Sequence, residues 1–271
     1  MNIRIKKILI IAAPLLTAVF IMIFTVPDRS GSLKTTLKGY ETVLSIHTVE
    51  DGIPGNDTNQ ILIKSGFWLS YNEEYEQANW TAYILTKQDV MSGEASRSND
   101  FRADTAVAGF SAQPSDYRGS GYDRGHLVPA ADMKSSPAAM SESFLLSNIS
   151  PQDPGFNRGI WRTLEEQTRD WAVQNDSLYI ITGPVLNSIR NFIGENQVGV
   201  PSHYFKIIVD ISYPTYKAIG FLIENRPDQD DFYKFVVTID SIESLTGFNF
   251  FSNQENTSIK SLESRSDLQE W

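Results

Sequence analysis

Three histidines, His47, His126 and His203, are the side chains of this 271-residue chain best suited to proton transfer near neutral pH, since an unperturbed imidazole titrates at about 6.5. There is no cysteine, which excludes thiolate nucleophiles, thiolate metal sites and disulfides and leaves any metal to oxygen or imidazole ligands. His47 stands in a polar stretch and His203 follows Pro201-Ser202 ahead of an aromatic run; both read as surface or packing residues. His126 differs. It lies in Asp116-Tyr117-Arg118-Gly119-Ser120-Gly121-Tyr122-Asp123-Arg124-Gly125-His126-Leu127-Val128-Pro129-Ala130, dense in glycine and charge, where backbone can approach a ligand closely. Taken alone, the stretch reads equally well as a hairpin turn.

A second polar segment follows it: Ser147-Asn148-Ile149-Ser150-Pro151-Gln152, then Phe156-Asn157-Arg158-Gly159-Ile160-Trp161-Arg162-Thr163-Leu164-Glu165, with Arg169 a turn further on. With Asp123-Arg124-Gly125-His126, this ordered set resembles the DNA/RNA non-specific endonuclease family, which includes mitochondrial endonuclease G and secreted bacterial sugar-non-specific nucleases. The resemblance extends to Tyr71, Trp80-Thr81-Ala82-Tyr83, Arg97-Ser98-Asn99-Asp100-Phe101-Arg102-Ala103-Asp104, Ile181-Thr182-Gly183-Pro184 and Leu245-Thr246-Gly247-Phe248. It covers roughly 66–252.

The resemblance implies an α+β domain in which two strands and a helix form a ββα-metal (His-Me finger) motif on a central mixed, mainly antiparallel sheet with flanking helices. Carried over residue by residue, His126 becomes the general base and Asn157 the direct metal ligand. Glu165 holds metal-bound waters, and Arg169 and Arg97 stabilise the phosphate. Arg102, immediately after Phe101, competes with Arg97 for that role. Arg124 bridges to the sheet or to phosphate. Asn148 positions His126 or the water, although an Asx turn capping the strand explains it equally well. Mg²⁺ is the implied cofactor, with Mn²⁺ or another divalent cation as alternatives. DNA and RNA are the implied partners; a homodimer and an inhibitor protein stay open.

The residues fit that chemistry. Hydrolysis of a phosphodiester needs a deprotonated water in line with the leaving oxygen and a cation to offset charge building on the phosphate. A single neutral amide suffices as the protein's direct ligand for Mg²⁺, which keeps several waters. Guanidinium forks match phosphate oxygens. Regular helix would put Asn157 and Glu165 about 12 Å apart along the axis. Asn157 must therefore stand at an irregular helix start, or Glu165 must act through water.

The elements that hold these groups are partly visible. Asn157–Val173 has helical spacing, with Ile160, Leu164, Gln167 and Trp171 on one face. Phe67–Tyr71, Thr81–Thr86, Leu178–Thr182, Phe205–Val209, Ala218–Ile223 and Phe232–Ile239 are rich in β-branched and aromatic residues and predict strands. Trp161 and Leu164 read as core residues rather than base-stacking platforms.

Ahead of the domain, Arg4, Lys6 and Lys7 precede the uncharged stretch Ile8 to Val26, which as a helix would span about 29 Å, close to a bilayer's hydrocarbon thickness. Residues 1–27 are thus expected to form an uncleaved membrane anchor or a signal, with the rest outside the cytoplasm. Residues 28–65, rich in Ser, Thr, Gly and Asn, read as a linker; 66–253 form the catalytic domain and 254–271 a tail. The net charge of −10 argues against a broad basic surface, but Arg97 to Arg169 is nearly balanced, leaving room for a local basic groove. Two other functions are compatible with this reading. One is an inactive nucleic-acid-binding module of the same fold; the other is an envelope hydrolase using Glu165 and Glu166 as a carboxylate pair, although adjacent helix positions point about 100° apart.

Overall fold

The computed structural model describes residues 25–27, 33–35, 46–212, 216–254 and 257–271. The apolar stretch expected to meet a membrane lies outside the described residues except at its end, where β1 (Thr25–Pro27) pairs antiparallel with β2 (Leu33–Thr35). Among the described residues no helix is long and apolar enough to cross a membrane.

From Ile46 onward the chain forms one unit built on a seven-stranded sheet. In chain order its elements are β3 (Gln60–Ile63), β4 (Trp68–Asn72), β5 (Gln77–Thr86) and α1 (Lys87–Met91), then β6 (Asp123–His126), α2 (Pro137–Glu142), β7 (Ile149–Gln152), α3 (Pro154–Phe156) and α4 (Arg162–Asn175). There follow β8 (Ser177–Pro184), β9 (Ile189–Ile193), β10 (Val198–Pro201), β11 (His203–Asp210), β12 (Lys217–Glu224), β13 (Val236–Val237), α5 (Ile239–Thr246) and α6 (Thr257–Glu263). The sheet order is β13-β12-β11-β8-β5-β4-β3, with every neighbouring pair antiparallel. This is the expected mainly antiparallel central sheet, here with every described pair antiparallel.

Both faces of the sheet are covered, which is why β8 and β11 read as nearly continuous apolar runs rather than alternating ones. One face packs against α4 through Trp161, Leu164 and Trp171, with Tyr204 and Ile208 of β11 beneath. The other packs against α5 and α6 through Ile239, Ile242, Ile259 and Leu262, with Phe250 and Phe251. The hairpin β6–β7 is a separate two-stranded ribbon, in register Asp123↔Gln152 to His126↔Ile149.

Three boundaries differ from those expected. Residues 46–65 are part of the domain, not a linker: Ile46 is buried, Gly52 lies against the Tyr179 and Phe251 rings, and β3 is the sheet's edge strand. Their polar composition serves local turns, as where Asp51 accepts the His47 and Thr48 N–H groups and Asp57 accepts the Trp80 Nε1–H at 2.6 Å. The expected tail is folded too, for α6 buries Ile259 and Leu262 and Trp271 packs on Trp171 with ring centroids 4.9 Å apart. Phe232–Ile239 is strand only at β13, because Asp231 caps a 3₁₀ turn at Tyr233 and Thr238 caps α5 through the Ser241 N–H.

Candidate active site

β6 supplies Asp123, Arg124 and His126, and β7 leads through α3 into the helix that carries Asn157, Glu165 and Arg169. Gly125 is required where the ribbon closes, since a Cβ there would meet the Gln152 side chain at 2.1 Å.

His126 sits between two phenylalanines. Phe144 meets its ring edge-on at 4.8 Å and Phe101 lies tilted at 5.4 Å. Each is overlain by a guanidinium, Arg97 over Phe144 at 5.1 Å and Arg124 over Phe101 at 4.0 Å. The His126 Nε2 atom is buried and has no hydrogen-bond partner among the described residues. Burial, reinforced by the Arg97 and Arg124 charges, holds the imidazole down to about 3, so it is neutral at physiological pH.

Asn157 opens an irregular turn, Asn157–Trp161, that departs from helical geometry at Gly159 before α4 begins. This resolves the spacing problem: the asparagine precedes the break and Glu165 follows it. The Asn157 Nδ2 donates to Asp123 Oδ2 at 2.9 Å, and Arg158 donates to the same oxygen at 2.7 Å. Burial pushes the Asp123 carboxyl up, but the Arg158 and Asn157 hydrogen bonds more than reverse it, leaving the group below the ordinary carboxylate range. With its amide nitrogen engaged in this way, Asn157 offers its Oδ1 as an acceptor beside a cavity of about 420 Å³. Phe101, Tyr122, Arg118 and Arg124 also line that cavity. Among the described residues no cluster of three His, Asp or Glu side chains is placed to hold a metal. The donor set fits a cation that keeps most of its own waters.

Glu165 is half-buried. Burial pushes its carboxyl up; among the charges Lys206 opposes this most, Asp132 adds to it, and Arg169 and Arg97 oppose it. Arg169 does not reach out freely, because it pairs with Asp132 at 2.8 Å, and Asp132 also accepts the Tyr83 hydroxyl at 2.6 Å. Arg102 is committed to Asp100 and Ser141, whereas the exposed Arg97 acts on both His126 and Glu165.

Of the roles expected for Asn148, its bonds favour holding the segment of His126 over holding a water. It is fully buried; its Oδ1 accepts the Val128 N–H at 3.0 Å and its Nδ2 donates to the Val128 and Ser143 carbonyls at 3.0 and 2.8 Å. A side chain so committed is a clamp on the backbone leaving His126 and does not face a water or a phosphate. Asn148→Ala is expected to cost about 2–4 kcal/mol, because Val128 N–H would be left buried and unpaired. Urea unfolding checks this, and a loss under about 1 kcal/mol would rule the clamp out.

Among the buried charged residues, two close to Glu165 went unnoticed in the sequence, Asp132 and Lys206. The signal for Lys206 was there: it interrupts the apolar run Phe205–Val209 at a position that alternation turns toward α4.

A neutral, shielded histidine on a two-stranded ribbon, joined through Asp123 to an asparagine at a broken helix start, defines the ββα-metal nuclease class. The sequence profile of the DNA/RNA non-specific endonuclease family matches residues 45–257. A nuclease of Nostoc sp. is 36% identical over 221 residues, covering 77% of this chain and 79% of its own. Mitochondrial endonuclease G of Homo sapiens is 32% identical over 216 residues, covering 74% and 72%. A solved structure of an EndoG/EndoGI inhibition complex superposes with a TM-score of 0.70 at 31% identity, over 75% of this chain and 89% of that one. The chain belongs to the DNA/RNA non-specific endonuclease family and is an endonuclease.

Proposed function

We propose that the chain hydrolyses phosphodiester bonds within DNA and RNA with little sequence preference, using His126 as general base. The observation that carries this is the neutral His126 imidazole, walled by two phenylalanine–arginine stacks and three residues along one strand from the carboxylate that fixes Asn157. A neutral imidazole takes the proton of an attacking water. Asn157 would hold a divalent ion, Mg²⁺ or Mn²⁺, through its Oδ1, and Glu165 would act on that ion's waters. When bound, the ion would offset charge developing on the scissile phosphate. Arg97 and Arg124, both exposed at the rim, are the guanidiniums placed to contact phosphate; Arg169 supports the site from behind through Asp132.

Contacts to phosphate and sugar carry no base information, which accounts for low specificity. Exposed Arg118 and Arg124 line the cavity, and exposed Arg97 stands over Phe144 beside His126, despite the chain's net −10. Glu166 is exposed and faces Arg162 at 3.7 Å, which speaks against Glu165 and Glu166 acting as the two carboxylates of a glycan-type reaction. The proposal includes an extracytoplasmic location, supported by the charge and length of the segment through Val26.

The test is nicking of supercoiled plasmid and of RNA by the full chain, with Mg²⁺, with Mn²⁺ and with excess chelator. Cleavage of both substrates that stops on chelation is expected. A well-folded chain that cuts neither substrate with any divalent ion would leave the nucleic-acid-binding module as the better reading.

A further inference from the structure

Arg118 lines two cavities. One is the cavity of about 420 Å³ beside Asn157; the other is a second cleft of about 490 Å³, walled by residues 115–120 and by the end of β9 with the turn after it. That volume is in the range of small-ligand sites, roughly 300–1,000 Å³. The Arg118 guanidinium is exposed and has no ion-pair partner among the described residues. At the junction of two clefts, its fork is available to a phosphate common to both.

The walls of the second cleft are fixed to each other by Asp116, which is 3% exposed. Its Oδ2 accepts the Gln113 N–H at 2.7 Å and the Asn196 Nδ2–H at 2.9 Å, and its Oδ1 accepts the Asn196 N–H at 3.2 Å. Gly194, at φ +69°, lets the turn press on this carboxylate, since a Cβ there would meet the Asp116 side chain at 2.3 Å. A buried carboxylate committed to three such bonds sets the spacing of the walls and is satisfied within the protein. Of the two acidic residues lining the cleft, only Glu195, on the turn, is exposed.

Phe192 lines the same cleft with its side chain 46% exposed. The ring stacks on Tyr75, with centroids 6.3 Å apart and planes 19° from parallel. Tyr75 is pinned in turn by Gly199, the ribbon partner of Phe192: the Gly199 N–H donates to the Tyr75 carbonyl at 3.1 Å, and a Cβ on Gly199 would crowd the Tyr75 ring at 3.1 Å. A ring held by stacking on one side and bordering a polar cleft suits an unpaired base, because every base has a π-face.

We infer that the second cleft binds a nucleotide flanking the scissile one in a single strand of DNA or RNA, with Arg118 on the phosphate between the clefts and the unpaired base stacked on Phe192. The inference rests on the nuclease reading above and deepens it. A base paired in a duplex has no free face to offer, so the cleft adds affinity for unpaired strands alone.

The experiment follows the fluorescence anisotropy of a labelled single strand of about twelve thymidylates, and of the same strand in a duplex, titrated with the full chain in excess chelator so that nothing is cut. Phe192→Ala and Phe192→Leu are each expected to weaken single-strand binding about tenfold, the worth of one stacked base, and Phe192→Trp to keep it. Wild type and Phe192→Ala should bind the duplex equally. Arg118→Ala should weaken single-strand binding and flatten the fall of log K with log salt by about 0.7, the share of one phosphate. Both side chains are exposed, so melting temperatures should stay with wild type.

Unchanged single-strand affinity in Phe192→Ala, an equal loss on the duplex, or full retention by Phe192→Leu overturns the stacking subsite. An unchanged salt slope in Arg118→Ala overturns the phosphate contact. A wild-type dimer in sedimentation that Phe192→Ala splits also overturns the subsite, because it assigns this face to a second copy of the chain. Binding is read without cleavage, so a wild type that cuts neither plasmid nor RNA fails the nuclease reading alone, and the same variants still decide the subsite.

Discussion

Replacing His126 with alanine is expected to lower plasmid nicking by about 10²–10⁴-fold, the usual worth of a positioned general base, with far-UV circular dichroism unchanged. Residual activity within tenfold of wild type would remove His126 from the reaction. The same substitution carries a signed prediction about acid. Burial and the two flanking guanidiniums hold the folded imidazole down to about 3, whereas the unfolded chain binds that proton near pH 6.5. The unfolded state therefore binds more protons between those values, and this site's contribution to stability falls as pH drops from about 6.5 toward 3. His126→Ala should accordingly compare better with wild type at pH 4.5 than at pH 7.5 in melting temperature. A difference that does not change with pH would show that the imidazole is not held neutral. The neutral form also persists well below pH 6, so the acid limb of cleavage is expected to belong to Glu165, whose carboxyl is raised, and not to the histidine.

Asn157→Ala is the second large effect. In the proposed mechanism the amide Oδ1 is the protein's own oxygen for the cation, and Asp123 fixes the group by accepting from Nδ2 at 2.9 Å. Its loss is expected to weaken Mg²⁺ binding by at least about tenfold and to lower cleavage by 10² or more, since a cation with one direct protein ligand has no second to fall back on. Calorimetric Mg²⁺ titration measures the first and plasmid nicking the second. Asp123→Asn should show a milder version of both, because it spares the ligand while loosening its support. Unchanged Mg²⁺ affinity in Asn157→Ala would place the cation elsewhere.

Legibility in the sequence followed the kind of force that shapes each element. Helix α4 and strands β4, β5, β8, β11 and β12 could be read because burial imposes a period or a continuous apolar run on their residues. The ribbon β6–β7 could not. Asp-Arg-Gly-His and Ile-Ser-Pro-Gln carry no strand propensity, and they are held by tertiary bonds: Ser150 Oγ to Gln77 and Tyr204, and the Asn148 clamp on Val128. Residues 46–65 were misjudged because polar turns that satisfy their own backbone have the composition of a linker. Among candidate site residues, His126 and Asn157 stand out in the sequence through a family pattern. Asp132 stayed hidden, since nothing local shows that a lone aspartate after two alanines will meet Arg169 across the fold. The choice between Arg97 and Arg102 needed the partners, because Asp100 and Ser141 capture Arg102 and leave Arg97 open.

The neighbouring strands β5 and β8 are adjacent in the sheet, yet everything from α1 through α4 lies between them in the chain. The Lys87 N–H donates to the Asp176 carbonyl at 2.9 Å, so the excursion begins and ends at one point. Closing so long a loop has an entropic cost that the β5–β8 ladder helps to offset. A chain still being made holds every residue of the His126–Asn157–Glu165 set before it holds β8 and β11. Folding of the site is thus expected to wait for the C-terminal half of the sheet, because β8 and β11 close the face on which α4 packs.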